Sequence, residues 1–383
     1  MDRNSTGTAY ESRRRSRAVI FLGLLLMGVC MAVITHVMTR VFIEKQRRLA
    51  IEWSHKGEAA LKNGEQLQAV SDFQTALVYD RENSQYRLRL AQALIAAGQL
   101  NEARSHLLHL WEEKPGDGFI NLELARLSAQ QRDLLGVLRF YHAALYGVWD
   151  VDPERQRDQA RLELIEFLLQ HNENTQARAE LIAFSSTVPN RIPDLLQLGR
   201  FFFQAQDYEN ALSTFQRALR IDRHTRELQR QAGEAAFNLG RFGTAARYLH
   251  ENSDNSDPEA QRRLETIHAI QDLSPYQHRL SERDQFHRVV LNFQLAGNKL
   301  QECVQTRAPQ TNTAAPAVQA DYSQWQQLNS VLDVDHLRAD PELMDRTMNL
   351  IFTIMTDVEK VCPLGARDTA LLLIAKYREQ VER

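Results

Sequence analysis

The stretch LQLGRFFFQAQDYENALSTFQRALRID, residues 196–222, sets three small residues, Gly199, Ala211 and Ala218, at fixed points among large apolar ones. A single amphipathic helix has no need of small residues in register. Two short helices packed closely on one another do, because the side chains at their contact set the distance between the axes. If the spacing reflects helix pairing, it should recur along the chain.

It does. From Gly199 the offsets to Ala211, Phe215 and Ala218 are 12, 16 and 19, and Gly57, Ala69, Phe73 and Ala76 repeat them, with Trp53 four residues ahead. Further copies hold Leu90, Ala91, Ala103, Leu107 and Pro115, then Leu124, Ala125, Val137, Tyr141 and Ala144. A weaker one holds Leu164, Ala177, Leu181 and Pro189, and the last holds Gly233, Gly240, Ala245 and Leu249. The copies start at 50, 84, 118, 158, 192 and 226, a step of 34 residues broken once by a step of 40. The six extra residues fall near DPERQR, residues 152–157, where a loop between repeats would absorb them.

A 34-residue period with small residues at these points resembles the tetratricopeptide repeat over residues 50–252. The resemblance implies an all-α fold: a superhelix of about six pairs of antiparallel helices, A and B, each pair burying its apolar face on the next. Gly98 and Gly240 then fall at the A–B turn, where a positive φ suits glycine. It also implies a concave groove lined by the A helices. Carried over by position, the groove residues are Leu88, Gln92, Ile95, Leu122, Arg126, Leu162, Glu166, Leu169, Leu196, Arg200, Phe203, Glu234 and Phe237. They make an apolar strip edged with charge and amide, suited to an amphipathic helix or extended peptide of a protein partner. Two other readings stay open: some of these leucines are inter-repeat core, or the groove is filled by the chain's own C-terminal part. No run of Lys and Arg lines the A helices, which argues against a groove that clamps a terminal carboxylate.

Ahead of the repeats, residues 18–39 carry no formal charge. A helix of that length spans about 33 Å, the thickness of a bilayer core. A cleaved signal peptide would have a shorter apolar run and a small-x-small site after it. The expectation is therefore one uncleaved transmembrane helix behind a basic flank, residues 1–17. Arginines at 13, 14, 15 and 17 face Arg40, Lys45, Arg47 and Arg48 across the run, a slight bias toward an N-terminus inside and a C-terminal region outside the cytoplasm.

After the polar break at 251–260, residues 258–383 read as a small helical module that caps the last repeat. Helices are expected over 259–271 and 282–305, and a mobile loop over 306–320. Another helix starts at Asp340-Pro341, Asp as cap and Pro in the first turn. Met344, Met348, Ile351, Met355 and Val358 give it one apolar face. Cys303 and Cys362 are either buried thiols or one disulfide; the bridge agrees with export and would contribute about 4 kcal/mol on the chain-entropy account.

The net charge of −3 in 383 residues lacks the basic excess of a nucleic-acid binder. His106 and His109 have no third ligand nearby, no zinc spacing surrounds His278 or His287, and neither a phosphate loop nor a Gly-x-Ser-x-Gly motif occurs. No cofactor, metal, catalytic residue or small-molecule substrate is expected. The reading is a membrane-anchored scaffold for a protein or peptide partner in assembly of a cell-envelope complex. The alternatives are an enzyme or enzyme subunit with its site in the C-terminal module, and a docking platform facing the cytoplasm.

Overall fold

The computed structural model describes residues 6–251, 257–277, 280–306 and 315–377, with side chains from Met27 onward except at 28, 29, 251, 306, 315, 316 and 341. Among them are eighteen α-helices and no strand, only one isolated bridge between Asp117 and Val148. The A helices are the C-terminal part of α1 (Thr6–Lys62), α3 (Ser84–Ala96), α5 (Gly118–Gln130), α7 (Pro153–Gln170), α9 (Ile192–Gln204) and α11 (Arg226–Asn238). The B helices are α2 (Gln66–Tyr79), α4 (Leu100–Glu113), α6 (Leu134–Leu145), α8 (Asn174–Ser185), α10 (Tyr208–Leu219) and α12 (Phe242–Glu251). Then follow α13 (Pro258–Leu273), α14 (Glu282–Thr306), α15 (Ala315–Asn329), α16 (Val334–Ala339), α17 (Pro341–Glu359) and α18 (Ala366–Lys376). The chain divides into two compact units, residues 1–167 and 168–383.

The small residues sit where helices meet. Ala69, Ala76, Ala103, Ala125, Ala144, Ala211, Ala218 and Ala245 are fully buried, as are Phe73, Leu107 and Phe215 beside them. A Cβ built on Gly199 falls 2.7 Å from Phe215 Cδ1, one on Gly57 falls 2.9 Å from Phe73 Cζ, and one on Gly233 falls 2.7 Å from Leu249 Cγ. Each glycine is the space its partner ring or leucine fills.

The A–B turn is more regular than the two turn glycines imply. All six repeats hold position 15 at positive φ: Gly64 (77°), Gly98 (77°), Arg132 (56°), Asn172 (60°), Gln206 (58°) and Gly240 (73°). The backbone at this corner closes the A helix whatever residue stands there, and three repeats accept an L-residue in the left-handed region to achieve it.

Two expected loops are partly helix. The six extra residues between repeats 3 and 4 do not form a loop over 152–157: Asp152 turns the chain at φ 44° and α7 begins at Pro153, since proline suits the first helical turn. The irregular part lies earlier, over 146–152. Likewise 315–320 belong to α15, whose Pro316 again falls in the first turn; 307–314 lie outside the described residues. Elsewhere the C-terminal boundaries follow the caps. The Asp257 carboxylate accepts from the Glu259 and Ala260 amides, and that of Asp340 from the Glu342 amide. Met348, Ile351, Met355 and Val358 are fully buried, and Cys303 and Cys362 are bonded with their Cα atoms 6.0 Å apart.

Residues 6–62 form one continuous helix, so the expected anchor continues without a break into the first repeat. Side chains of the basic flank and of 18–26 lie outside those described. Among the described residues, no helix is long and apolar enough to cross a membrane.

Candidate protein-binding groove

In residues 1–167 the A-helix face is tied across repeats by polar side chains. Arg126 makes a two-pronged bond to Glu163, Nε at 2.9 Å and Nη2 at 2.8 Å, and its Nη1 donates to Glu123 at 3.0 Å. Gln92 donates to the same Glu123 at 3.3 Å, while the Tyr141 hydroxyl and Gln159 amide add to Glu163. Burial raises the Glu163 carboxyl, but the hydrogen bonds and charge of Arg126, with those of Gln159 and Tyr141, outweigh it and hold it below its ordinary value. The Glu163 hydrogen bond likewise raises Arg126, and burial raises the Tyr141 phenol. Arg126 is therefore a cross-brace between α5 and α7, already neutralised, rather than a free cation for a ligand. Leu122, placed in the groove by position, is 1% exposed and belongs to the core, because α5 is buried on nearly all sides. Leu88, Gln92, Ile95 and Leu162 are half-buried and Glu166 is exposed.

The extra residues build something that sequence reasoning missed. The Val148 amide donates to Gly116 O at 2.8 Å, and the Gly118 amide to Val148 O at 2.9 Å, so the segment docks against the start of α5. Trp149, 9% exposed, packs its indole against Gly118 and donates its indole N–H to Ala144 O at 2.9 Å. The segment thereby walls a cavity of about 330 Å³ whose other sides include Leu88, Phe119 and Ile120. The signal was present in the sequence: a 40-residue step containing a lone tryptophan after a Gly pair at 116 and 118.

In residues 168–383, Leu169 and Leu196 are half-buried on their A helices. A cavity of about 530 Å³ opens beside Phe203 of α9, with Arg200, Arg230, Gln231, Glu234 and Arg263 around it. Phe203 is half-buried and meets Tyr208 edge-on at 5.1 Å. Glu227 receives Arg200 at 2.8 Å and Arg230 at 2.9 Å. Burial raises the Glu227 carboxyl, but Arg230, Gln231 and Arg200 prevail and bring it down to about 2. One carboxylate thus serves two guanidiniums, leaving a net positive end at Arg200.

The opposite end is closed by the chain itself. Arg263 of α13 lies over the Phe237 ring at 4.6 Å and pairs with Glu234 at 3.3 Å, with Glu259 at 3.8 Å. Burial pushes the Glu234 carboxyl up, against the opposing charge of Arg263. Phe237 is only 4% exposed. Two of the residues expected in the groove are thus covered by the C-terminal module, one of the two readings the sequence left open. Beyond Arg263 a second cavity, about 680 Å³, is lined by Phe237, Phe352, Leu372, Leu373 and Tyr377. The Tyr377 hydroxyl donates to Asn238 O at 2.7 Å and pins α18 to the end of α11.

Two segments match family models of the tetratricopeptide repeat, residues 60–134 and 196–258. The chain carries tetratricopeptide repeats, in an all-α solenoid of helix pairs. Among solved structures it is similar to a tetratricopeptide repeat protein from Parabacteroides merdae, at 15% identity and a TM-score of 0.38, over 65% of this chain and 92% of that one. It is also similar to PilW, described as a widely conserved type IV pilus biogenesis factor, at 18% identity and a TM-score of 0.35, over 55% and 96%. A third is YrrB, described as a TPR protein with an unusual peptide-binding site, at 15% and 0.35, over 49% and 93%. At these scores the repeat assignment rests on the family models and the helix pairs themselves. No curated protein matches the sequence.

Proposed function

We propose that this chain is a membrane-anchored scaffold whose repeats bind a protein or peptide segment, in the assembly of a cell-envelope complex. The observation that carries the binding role is the open cavity on the A-helix face at Phe203, bounded by guanidiniums at one end and by Arg263 at the other. One aromatic ring, Phe203, set among amides and charges suits an extended peptide, whose backbone needs hydrogen bonds and one of whose side chains would rest on the ring. Proteins built from this repeat bind protein or peptide partners.

The anchoring part rests on the uncharged run at 18–39. In support, nine large apolar side chains between Met27 and Ile43 are each more than half exposed. A bilayer would cover such a contiguous apolar surface. Placement of the repeats outside the cytoplasm draws on the Cys303–Cys362 bridge, which persists in an oxidising compartment. Tethering raises the effective concentration of a partner at the membrane.

The test compares crosslinked partners of the wild-type chain with those of Leu196→Glu and Phe203→Glu. Leu122→Glu is unsuitable, because that side chain is core. Loss of a specific partner in both variants, with the helical content unchanged, is expected. Partners retained in both exclude the groove as the binding surface. Cleavage of the C-terminal module by protease added once the outer barrier is opened, with the inner membrane intact, accompanies an exported module; protection under those conditions, or rapid labelling of free thiols at 303 and 362 without reductant, contradicts it.

A further inference from the structure

Arg263 stands between two cavities. With Asn238 it lines both the space beside Phe203 and the one bounded by Phe352, Leu372, Leu373 and Tyr377, so the two share a wall. That wall is tied on both sides. Arg263 lies over the Phe237 ring, the Asn238 side-chain amide donates to Glu234 O at 2.8 Å, and the Tyr377 hydroxyl donates to Asn238 O. Phe237, Phe242 and Tyr377 meet edge-on in succession, at 5.6 and 5.9 Å, joining α11, α12 and the end of α18. The C-terminal module is thus fastened to the last repeat, with a cavity on each side of Arg263.

The two cavities differ in kind. The first offers one ring and a charge that changes sign along it. At one end two guanidiniums, Arg200 and Arg230, share the Glu227 carboxylate, which leaves a net positive charge. At the other end one guanidinium, Arg263, faces two carboxylates, Glu234 at 3.3 Å and Glu259 at 3.8 Å, which leaves a net negative charge. The second cavity offers apolar depth. Phe352, Leu372 and Leu373 are half-buried around it, and its charged members, Glu359 and Lys376, apart from the shared Arg263, are of opposite sign. Its volume of about 680 Å³ is that of a ligand pocket. Binding segments draw most of their affinity from a large side chain seated in such a pocket, which a single ring among charges does not provide.

We propose that the two cavities are one site, for a protein segment carrying an acidic, a basic and a large apolar residue in that spatial order: the acidic one at Arg200, the basic one at Glu234 and Glu259, and the apolar one in the pocket of the C-terminal module. This rests on the peptide-binding reading of the Phe203 cavity, and adds to it the partner's residue pattern and the second half of the site. The charge order selects the segment and its direction, because the reverse orientation sets like charges against each other. The apolar residue supplies affinity by leaving water.

Peptides selected from a random library on the full chain, then labelled and titrated by fluorescence anisotropy, test it. The selected peptides are expected to share the three residue types in one order. Arg200→Glu should weaken them about fivefold at low salt, and replacing their acidic residue by lysine should restore binding to that variant. Glu259→Lys should act in the same way on their basic residue. Leu372→Asp, or alanine in place of the peptide's apolar residue, should each cost about tenfold or more, and the two together no more than either alone. Thr356→Trp, at an exposed position lining the same pocket, fills it and decides the matter if Leu372→Asp does not fold. Binding lost in Phe203→Glu but kept in both pocket variants overturns the proposal and leaves the Phe203 groove standing. Binding kept in Phe203→Glu, or a selection without binders, removes both. Peptides without a charge order, no rescue by the exchanged charges, or self-association of the chain that blocks the pocket also overturn it.

Discussion

Substituting Gly199 with alanine tests the helix-pairing argument at its tightest point. Glycine inside a helix is ordinarily worse than alanine by about 0.5–1 kcal/mol, so from local propensity alone the change stabilises. The packing opposes it. A Cβ at 199 falls 2.7 Å from Phe215 Cδ1 and 2.8 Å from Cζ, and closer still to Cε1, where carbon atoms ordinarily rest about 3.5–4.0 Å apart. The ring must move by about an ångström, and it has nowhere to go: Phe215, Ala211 and Ala218 are all 0% exposed. Overpacking of this kind costs about 1–3 kcal/mol, so the net expectation is a loss of about 1–2 kcal/mol. Thermal unfolding followed by circular dichroism reads this as several degrees, at about 2–4 °C per kcal/mol for a unit of this size. Gly243→Ala, whose added carbon meets nothing within 4 Å, is the control and is expected to hold or raise the midpoint. The order of loss should be Gly199, then Gly233, then Gly57, following the approach of Phe215, Leu249 and Phe73. Pairing Gly199→Ala with Phe215→Leu should restore part of the loss, because the smaller side chain vacates the space. If Gly199→Ala matches or exceeds the wild type in stability, the small residues do not set the helix spacing and the reasoning fails.

Two further outcomes follow from the same structure. Gly98→Ala is expected to lower stability by about 1 kcal/mol although its Cβ would meet nothing within 4 Å, because φ is 77° there, and Gln206→Gly should gain by a comparable amount; equal melting curves for both would show that the turn relaxes. The Glu227 carboxyl, depressed from 4.5 to about 2, stabilises the Arg200–Arg230 junction above its ordinary value and loses that effect as pH falls toward 2, so Glu227→Gln should flatten the acid limb of the unfolding curve over that window.

Much of the repeat region was legible because its signals are local. Gly199, Ala211, Phe215 and Ala218 lie within one 34-residue period, and each helix pair is closed by neighbours in sequence. The register recurred often enough to place the helix starts at 84, 118, 192 and 226 where the structure has them. The candidate groove was legible only by position. Leu122 and Arg126 both stand on the A-helix face by register, yet one is core and the other is spent on Glu163. Position along a helix gives direction; it does not say whether the next repeat supplies a partner.

What the sequence determined by itself was therefore the period, the helical class and the corners at Gly98 and Gly240, because sterics within a few residues decide them; the same corner at Arg132, Asn172 and Gln206 is imposed by the packing. The tertiary structure alone decided which surfaces remain open. Arg263 covers Phe237 from a different element, Tyr377 reaches Asn238 across 139 residues, and Trp325 reaches the Phe293 carbonyl only because α15 folds back onto α14. No periodicity records such meetings. They depend on how whole helices are brought together, and burial then sets the charge, the occupancy and the accessibility of each side chain.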